Sequence, residues 1–214
     1  MNKTLLFILV ALPFLGHSQV VSDAKLWTGI SVSQKINDFE FSFGEELRFD
    51  ENMTHIDKVF SEIGVEYKIR KGIYGGISYR FSRDNQYTSR NYNIRHRFDL
   101  SLALKHKQED FRFSFRTKYQ NKSASPEENN PAFIRNKLSV KYKLKNDFTP
   151  FVSYEFFYQL NEEKIINRTR FSLGSSYKIN KKNSLKFFYI FENRFNTNNL
   201  SYNHIYGVSY SLEL

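Results

Sequence analysis

The chain has 214 residues, enough for one domain, and carries a formal net charge of +10 at pH 7. It contains no cysteine, which excludes a disulfide framework and a thiolate site. Its 22 Phe and 14 Tyr are residue types that favour β-strands and also suit the edges of a bilayer.

The first residues have the pattern of a secretory signal peptide. Lys3 supplies the positive charge, residues 5–15 form an apolar run, and Gly16 and Ser18 offer the small residues that precede a cleavage site. The run is too short for a spanning helix, and an N-terminal membrane anchor is the alternative interpretation. We therefore predict a signal peptide over residues 1–18, cleaved near Ser18, and one exported domain over residues 19–214.

Beyond Lys25 the chain consists of segments of about ten residues in which apolar and polar side chains alternate, separated by turn residues. In chain order, the apolar sets begin at Leu26, Phe39, Val59, Ile73, Ile94, Phe111, Ile134, Val152, Phe171, Leu185 and Tyr206. The opposite parity is polar. Because side chains alternate between the two faces of a strand, the pattern predicts an all-β protein with one apolar face.

Alternation alone does not distinguish a soluble β-sandwich from a membrane barrel. Segments of about 10 to 12 residues, however, match a tilted transmembrane strand, and Phe and Tyr cluster near the segment ends as an aromatic girdle requires. We therefore predict a closed antiparallel up-and-down transmembrane β-barrel. The lipid-facing positions include Phe41, Phe43, Phe98, Leu100, Phe113, Phe115, Tyr154 and Phe187.

The connections alternate in length, as they do in outer-membrane barrels. Longer polar loops are predicted at residues 50–57, 84–91, 121–132, 161–167 and 196–200. The pattern contains about eleven strands, whereas bacterial single-chain barrels usually have an even number. The first strand would also start on the long-loop side, which conflicts with a periplasmic N-terminus. Residues 19–25 could hold part of another strand, or one strand is split in two; we predict 10 to 12 strands and favour twelve over ten.

Three short motifs have a familiar arrangement: Leu26-Trp27-Thr28, Glu46-Leu47-Arg48-Phe49 and Tyr79-Arg80-Phe81. Together they resemble the DUF2490 family of uncharacterised, barrel-like proteins common in Bacteroidetes, over nearly all of the mature chain. The resemblance implies an outer-membrane location and a barrel architecture. It supplies no catalytic residues.

The inward parity carries many charges, and these are the candidate functional residues. This predicted lumen charge network comprises Glu46, Arg48, Glu62, Glu66, Arg80, Arg95, Arg97, Asp99, Arg112, Arg116, Arg135, Glu155, Arg168, Arg170, Glu192 and Arg194. A narrow barrel filled by paired side chains would have this composition. An excess of basic residues would also suit a narrow anion-preferring channel or a ligand-binding barrel.

Other function classes find less support in the sequence. An outer-membrane hydrolase acting on lipid needs a converging Ser and His, but Ser201 and His204 are three apart and would face opposite sides of a strand. No His pair has metal-ligand spacing. We predict a structural barrel or one with a plugged lumen, with the channel and the hydrolase as alternatives, and with no catalytic role, no cofactor and no metal. The expected partners are outer-membrane lipid, lipopolysaccharide and the barrel-assembly machinery of a Gram-negative bacterium, not nucleic acid; the oligomeric state is left open.

Overall fold

The computed structural model describes residues 21–85, 92–123, 131–161, 164–197 and 200–214, so the predicted signal peptide lies outside the described residues. Within these ranges the chain forms eleven β-strands. They are β1 (Val21–Ile36), β2 (Phe39–Asp50), β3 (His55–Arg70), β4 (Ile73–Asn85), β5 (Tyr92–Gln108), β6 (Phe111–Ser123), β7 (Ala132–Tyr142), β8 (Phe148–Gln159), β9 (Ile166–Lys178), β10 (Asn183–Arg194) and β11 (Ser201–Glu213). The described part of the chain has no helix long and apolar enough to cross a membrane.

The strands form a single closed barrel. Consecutive strands pair antiparallel, and β1 also pairs with β11. Because an up-and-down meander with an odd number of strands brings its first and last strands into the same direction, the β1–β11 pair is parallel. The predicted closure and strand order are confirmed, but the prediction of purely antiparallel pairing is wrong for this pair. The preference for twelve strands is also wrong, since residues 21–25 belong to β1.

The two ends of the barrel differ in their connections. Four of the five short turns contain a residue with positive φ, namely Asn37, Gly72, Glu109 and Asp147, which reverses the chain in few residues. The connections at the opposite end span residues 51–54, 86–91, 124–131, 160–165 and 195–200. We call these the short-turn end and the long-loop end; β1 starts at the long-loop end.

The exterior of the barrel is apolar. All eight residues predicted to face lipid are exposed on it, as are most other large apolar side chains of the same parity. Leu100 in the middle of β5 is 57% exposed, whereas its neighbour Asp99 is 3% exposed. The predicted lipid-facing parity is therefore confirmed at these positions.

Aromatic side chains ring the exterior at both ends. Near the short turns, Phe39 packs on Tyr67 and Phe111 on Tyr142, with ring centroids 4.7 and 4.8 Å apart. Toward the long loops, Tyr79 contacts His96 and Tyr189 contacts His204. The distance from the tyrosine Oη to the histidine Nδ1 is 2.6 Å in the first pair and 2.7 Å in the second. Two aromatic girdles separated by an apolar band are characteristic of outer-membrane barrels.

The interior contains apolar side chains that the alternation does not predict. The buried apolar residues are Trp27, Phe60, Ala103, Phe133, Phe157 and Ile205. Arginine side chains lie against the larger rings; the Arg80 guanidinium carbon is 3.4 Å from the ring centroid of Phe60. The expectation of a uniformly polar interior is therefore wrong, because the stems and planar heads of arginines need apolar surfaces to pack on.

One inward ring lies directly on a glycine. Phe188 of β10 faces Gly207 of β11, and a methyl group built on Gly207 would be 2.0 Å from Phe188 Cζ. We therefore expect Gly207→Ala to displace the ring and cost about 1–3 kcal/mol of unfolding free energy, the usual cost of overpacking. The measurement is the urea midpoint of the purified barrel in detergent.

Gly44→Ala is the matched control for this prediction. A methyl group at Gly44 would have its nearest neighbour, the Ile30 carbonyl oxygen, at 3.4 Å, which is an ordinary contact. Its urea midpoint should stay close to that of the unmodified protein. A Gly207→Ala midpoint no lower than that of Gly44→Ala would show that Phe188 does not need this glycine.

Candidate functional site

The lumen holds five carboxylates that each contact two or three basic groups. Glu62 accepts hydrogen bonds from Arg80 and Arg97 at 2.8 and 2.9 Å. Arg97 also donates to Asp99 at 2.8 Å, and Lys118 donates to the same Asp99 oxygen at 2.8 Å. Arg97 therefore joins the first two carboxylates into one network that crosses from β3 to β6.

Glu155 of β8 pairs with basic residues of β6 and β7. Arg135 Nη2 is 2.9 Å from Glu155 Oε1, and Arg116 Nη2 is 3.6 Å from the same oxygen. Arg135 also donates to Gln120 at 2.8 Å. The Glu155 side chain is almost completely buried, so these contacts replace the hydration that the carboxylate loses.

Glu192 is surrounded by three arginines and an asparagine. Arg170 and Arg194 donate to it at 2.6 and 2.9 Å, and Asn203 donates at 3.0 Å. The nearest guanidinium nitrogen of Arg168 is 4.0 Å away, at the limit of an ion pair. Arg168 is therefore held less closely than the other two arginines.

Asp84 is the fifth carboxylate and lies nearer the long-loop end. Its carboxylate lies 2.8 Å from Lys58 Nζ, 3.2 Å from Lys122 Nζ and 3.3 Å from Arg95 Nε. Ser82 donates a hydrogen bond to its other oxygen at 2.9 Å. Three positive charges thus surround one carboxylate at this level of the lumen.

The basic groups around these five carboxylates leave the lumen strongly positive. Among the described residues, eleven basic groups contact these five carboxylates, a formal surplus of six positive charges. Buried ion pairs need each member to be paired, because an unpaired charge in a poorly hydrated interior is costly. A surplus of this size therefore calls for anions from solution.

Three arginines pack against two aromatic rings between two cavities of the lumen, at a level that we call the waist. The guanidinium carbon of Arg48 is 3.7 Å from the ring centroid of Trp27, and that of Arg135 is 4.4 Å from the ring centroid of Phe157. Arg170 lies about 5 Å from both rings. Cation–π contacts of this kind are worth about 0.5–2 kcal/mol each. We call Arg48, Arg135 and Arg170 the waist arginines.

Two cavities lie on either side of the waist, and the waist arginines line both. The one toward the long loops, the long-loop cavity, has a volume of about 240 Å³. No acidic residue of the described chain lines it. Its nine basic lining residues are Arg48, Lys58, Arg80, Arg95, Arg97, Lys122, Arg135, Arg168 and Arg170.

The second cavity, the short-turn cavity, also has a volume of about 240 Å³ and is lined by Glu46 and Glu155 as well as basic residues. Beyond it, the mouth at the short-turn end encloses about 720 Å³. The basic residues of this mouth are Lys71, Lys105, Lys107, Arg112 and Lys141. Basic side chains therefore line the lumen from the long-loop cavity to the short turns.

The structure brings the sixteen predicted charge-network residues together in three groups. Twelve belong to the clusters described above: Glu62, Arg80, Arg95, Arg97, Asp99, Arg116, Arg135, Glu155, Arg168, Arg170, Glu192 and Arg194. Glu46 pairs with Arg48 at 2.5 Å at the waist. Glu66, which pairs with Lys105, and Arg112 lie apart from the network at the short-turn mouth.

The sequence interpretation missed several residues of the site. Asp84 and Lys122 fall in predicted loops, and Lys58 lies just before a predicted strand, although all three belong to strands here. Extending the alternation past Arg80 and Lys118 would have placed Asp84 and Lys122 inside. The alternation places Trp27 and Phe157 on the inward parity, but the sequence interpretation described that parity as polar and assigned these rings no role.

Ser201 and His204 face opposite sides of β11, as the sequence predicts. Ser201 shares the inward parity of Asn203, whereas His204 contacts Tyr189 on the exterior. One group of possible metal ligands, Asp50, Glu51 and His55, lies near the long-loop end of the described chain. His55 Nδ1 is 2.8 Å from Asp50 Oδ1, so a hydrogen bond accounts for the closeness of these two residues.

Solved structures with a similar fold are outer-membrane proteins. The NanC porin is 14% identical, with a TM-score of 0.54 over 84% of this chain and 93% of that one. The β-domain of the Bordetella autotransporter Brka is 10% identical, with a TM-score of 0.52 over 79% and 82% of the two chains. At these identities the likeness shows the fold alone.

OmpT, an outer-membrane protein of Vibrio cholerae, is 11% identical, with a TM-score of 0.45 over 74% of this chain; the chain spans about half (52%) of its length. No curated protein matches the chain significantly. The sequence profile described as "Protein of unknown function (DUF2490)" matches residues 24–203, most of the barrel. The chain therefore belongs to the DUF2490 family.

Proposed function

We propose that this chain forms a narrow, anion-preferring passage through the outer membrane of a Gram-negative bacterium. The observation that carries the proposal is the basic lining that runs through the long-loop cavity, the waist, the short-turn cavity and the short-turn mouth. Low-dielectric walls focus the field of such charges, and basic residues along a pore favour anions.

A plugged barrel is the second candidate, and the waist favours it. Arg48 is fixed by Glu46 and by the Trp27 ring, and Arg135 is fixed by Glu155. A guanidinium that moves aside to widen the waist gives up its contact with Glu46 or with the buried Glu155. In a plugged barrel the two cavities stay separate, and the protein acts as a structural or anion-binding barrel.

The proposal includes the route to the membrane. Residues 1–18 act as a signal peptide cleaved near Ser18, the barrel-assembly machinery inserts the chain, and the exterior contacts lipid and lipopolysaccharide. The apolar exterior and its two aromatic girdles support this placement. Short turns face the periplasm, as is usual, and the family resemblance supports a source in Bacteroidetes.

We assign no enzymatic role and no cofactor to the barrel. The separation of Ser201 and His204 onto opposite faces supports this part of the proposal. In the cluster of Asp50, Glu51 and His55, a hydrogen bond joins His55 to Asp50. The charges of the lumen thus act by attracting and holding anions rather than by bond chemistry.

The test is the reversal potential of the purified barrel in a planar bilayer under a KCl gradient. We expect a small conductance with anion preference, reduced by Arg112→Glu at the short-turn mouth. Arg83→Glu makes the same charge reversal at an exposed exterior position and should leave the selectivity unchanged. Cation selectivity would contradict the proposal, and an absence of conductance would favour the plugged barrel.

A further inference from the structure

We infer that the long-loop cavity is a binding site for a small oxyanion with two or more negative charges, such as phosphate or a small polycarboxylate. The inference deepens the proposed function and rests on it for the supply of anions to the lumen. It names the chemical class of the ligand and the cavity that holds it, and neither follows from anion preference alone.

The charged residues that line this cavity are all basic. Nine basic residues and no acidic residue of the described chain border it, although Glu62, Asp84 and Glu192 pair with some of these basic residues. The donors therefore line the cavity, whereas their partner carboxylates are not among its lining residues. An anion in the cavity meets donors on several sides.

Some of these donors still lack an acceptor. Nε of Arg97 and Nε of Arg168 are buried and have no hydrogen-bond partner among the described residues. A buried donor without a partner is unfavourable, and a bound oxyanion would supply the missing acceptors. Arg168 is the better indicator, because its guanidinium lies 4.0 Å from Glu192, farther than those of Arg170 and Arg194.

The residue types favour an oxyanion over a halide. Seven of the nine basic residues are arginines, whose planar fork matches two oxygens of a carboxylate or phosphate; a halide offers one acceptor and cannot use the fork. The volume of about 240 Å³ lies below the roughly 300–1,000 Å³ of pockets for drug-sized ligands. The ligand is therefore small, and the surplus positive charge favours more than one negative charge.

The experiment is calorimetric titration of the full barrel in non-ionic detergent at pH 8 and constant ionic strength. Inorganic phosphate, citrate and chloride are the three probes. We expect phosphate or citrate to bind at least about tenfold more tightly than chloride, a ratio that corresponds to about 1.4 kcal/mol. Comparison of phosphate with citrate then separates the phosphate class from the carboxylate class.

Two variants at one position test the arginine fork. Arg168→Gln should weaken binding of the preferred oxyanion by about tenfold or more, since it removes a charge-assisted hydrogen bond. Arg168→Lys keeps the charge but loses the fork, and should weaken the oxyanion without affecting chloride. Arg83→Gln on the exterior is the matched control, and heat-dependent gel mobility verifies that each variant is folded.

Equal affinities for phosphate, citrate and chloride would overturn the site, as would equal losses in Arg168→Gln and Arg83→Gln. The oxyanion site and the anion passage can be disproved independently of each other. Anion conduction without oxyanion preference in binding would overturn the site and leave the passage. Tight oxyanion binding without conductance would support the site and overturn the passage.

Discussion

Replacing Glu192 with glutamine is expected to lower the unfolding free energy of the barrel by about 3–5 kcal/mol, the usual cost of removing one member of a buried ion pair. The Glu192 side chain is 2% exposed and contacts Arg168, Arg170 and Arg194. Glutamine keeps the shape but removes the charge that holds three guanidinium groups together. Urea unfolding of the purified protein in lipid vesicles measures the loss.

Glu66→Gln is the matched control for Glu192→Gln. Glu66 pairs with Lys105 at the short-turn mouth, where the two side chains are 33% and 43% exposed. Exposed pairs of this kind contribute only about 0–1 kcal/mol, so the control should unfold close to the unmodified protein. Similar losses of unfolding free energy in the two variants would mean that the buried contacts of Glu192 do not stabilise the barrel more than an exposed pair does.

The second large effect is expected for Ile77→Arg, which should prevent stable insertion. Ile77 is 60% exposed on the exterior of β4 and lies opposite Leu100 in the middle of β5. An arginine facing lipid near the bilayer midplane costs about 2–4 kcal/mol. The fraction of heat-modifiable barrel, measured by gel mobility after refolding into vesicles, should fall sharply.

Ser78→Arg introduces the same side chain one position later, on the inside. Ser78 Oγ is 3.5 Å from Asp99, which offers a counter-charge, and its neighbours across the strands include Gly64. We expect this variant to insert. If both variants failed equally, the alternation between residues 77 and 78 would not decide which of them meets lipid.

Which residues face lipid could be predicted because the signal is local. A two-residue period decides at once that Leu100 faces out and Asp99 faces in, and the bilayer enforces that choice at every strand. The short turns are similarly local, since Asn37 and Gly72 are residue types that adopt positive φ readily.

The strand count and the pairing of charges could not be predicted in the same way. The usual even number argued for twelve strands, but a parallel β1–β11 pair closes an odd barrel equally well. The contact of Arg97 with Glu62 joins β5 to β3 across the intervening strand, so it depends on the curvature of the lumen. The period of β1 places Trp27 inward, but its contacts with Arg48 and Arg170 join it to other strands and could not be read from that segment.

The β1–β11 pair also differs from the other strand pairs in how it assembles. The other ten pairs join neighbours along the chain and form as hairpins. Facing residues of the final pair, such as Ser31 and Ser211, are 180 positions apart, so this pair has the largest loop-closure entropy to overcome. Parallel pairing is also slightly weaker per residue than antiparallel pairing.

Until that pair forms, two strand edges carry open N–H and C=O groups, which hydrocarbon does not satisfy. An unsealed sheet is therefore stable neither in lipid, where its edges are bare, nor in water, where its apolar exterior is exposed. We expect membrane insertion and closure of the barrel to occur as one kinetic event, with formation of the β1–β11 pair as the rate-limiting step. The same pair should be the first to separate when the barrel unfolds.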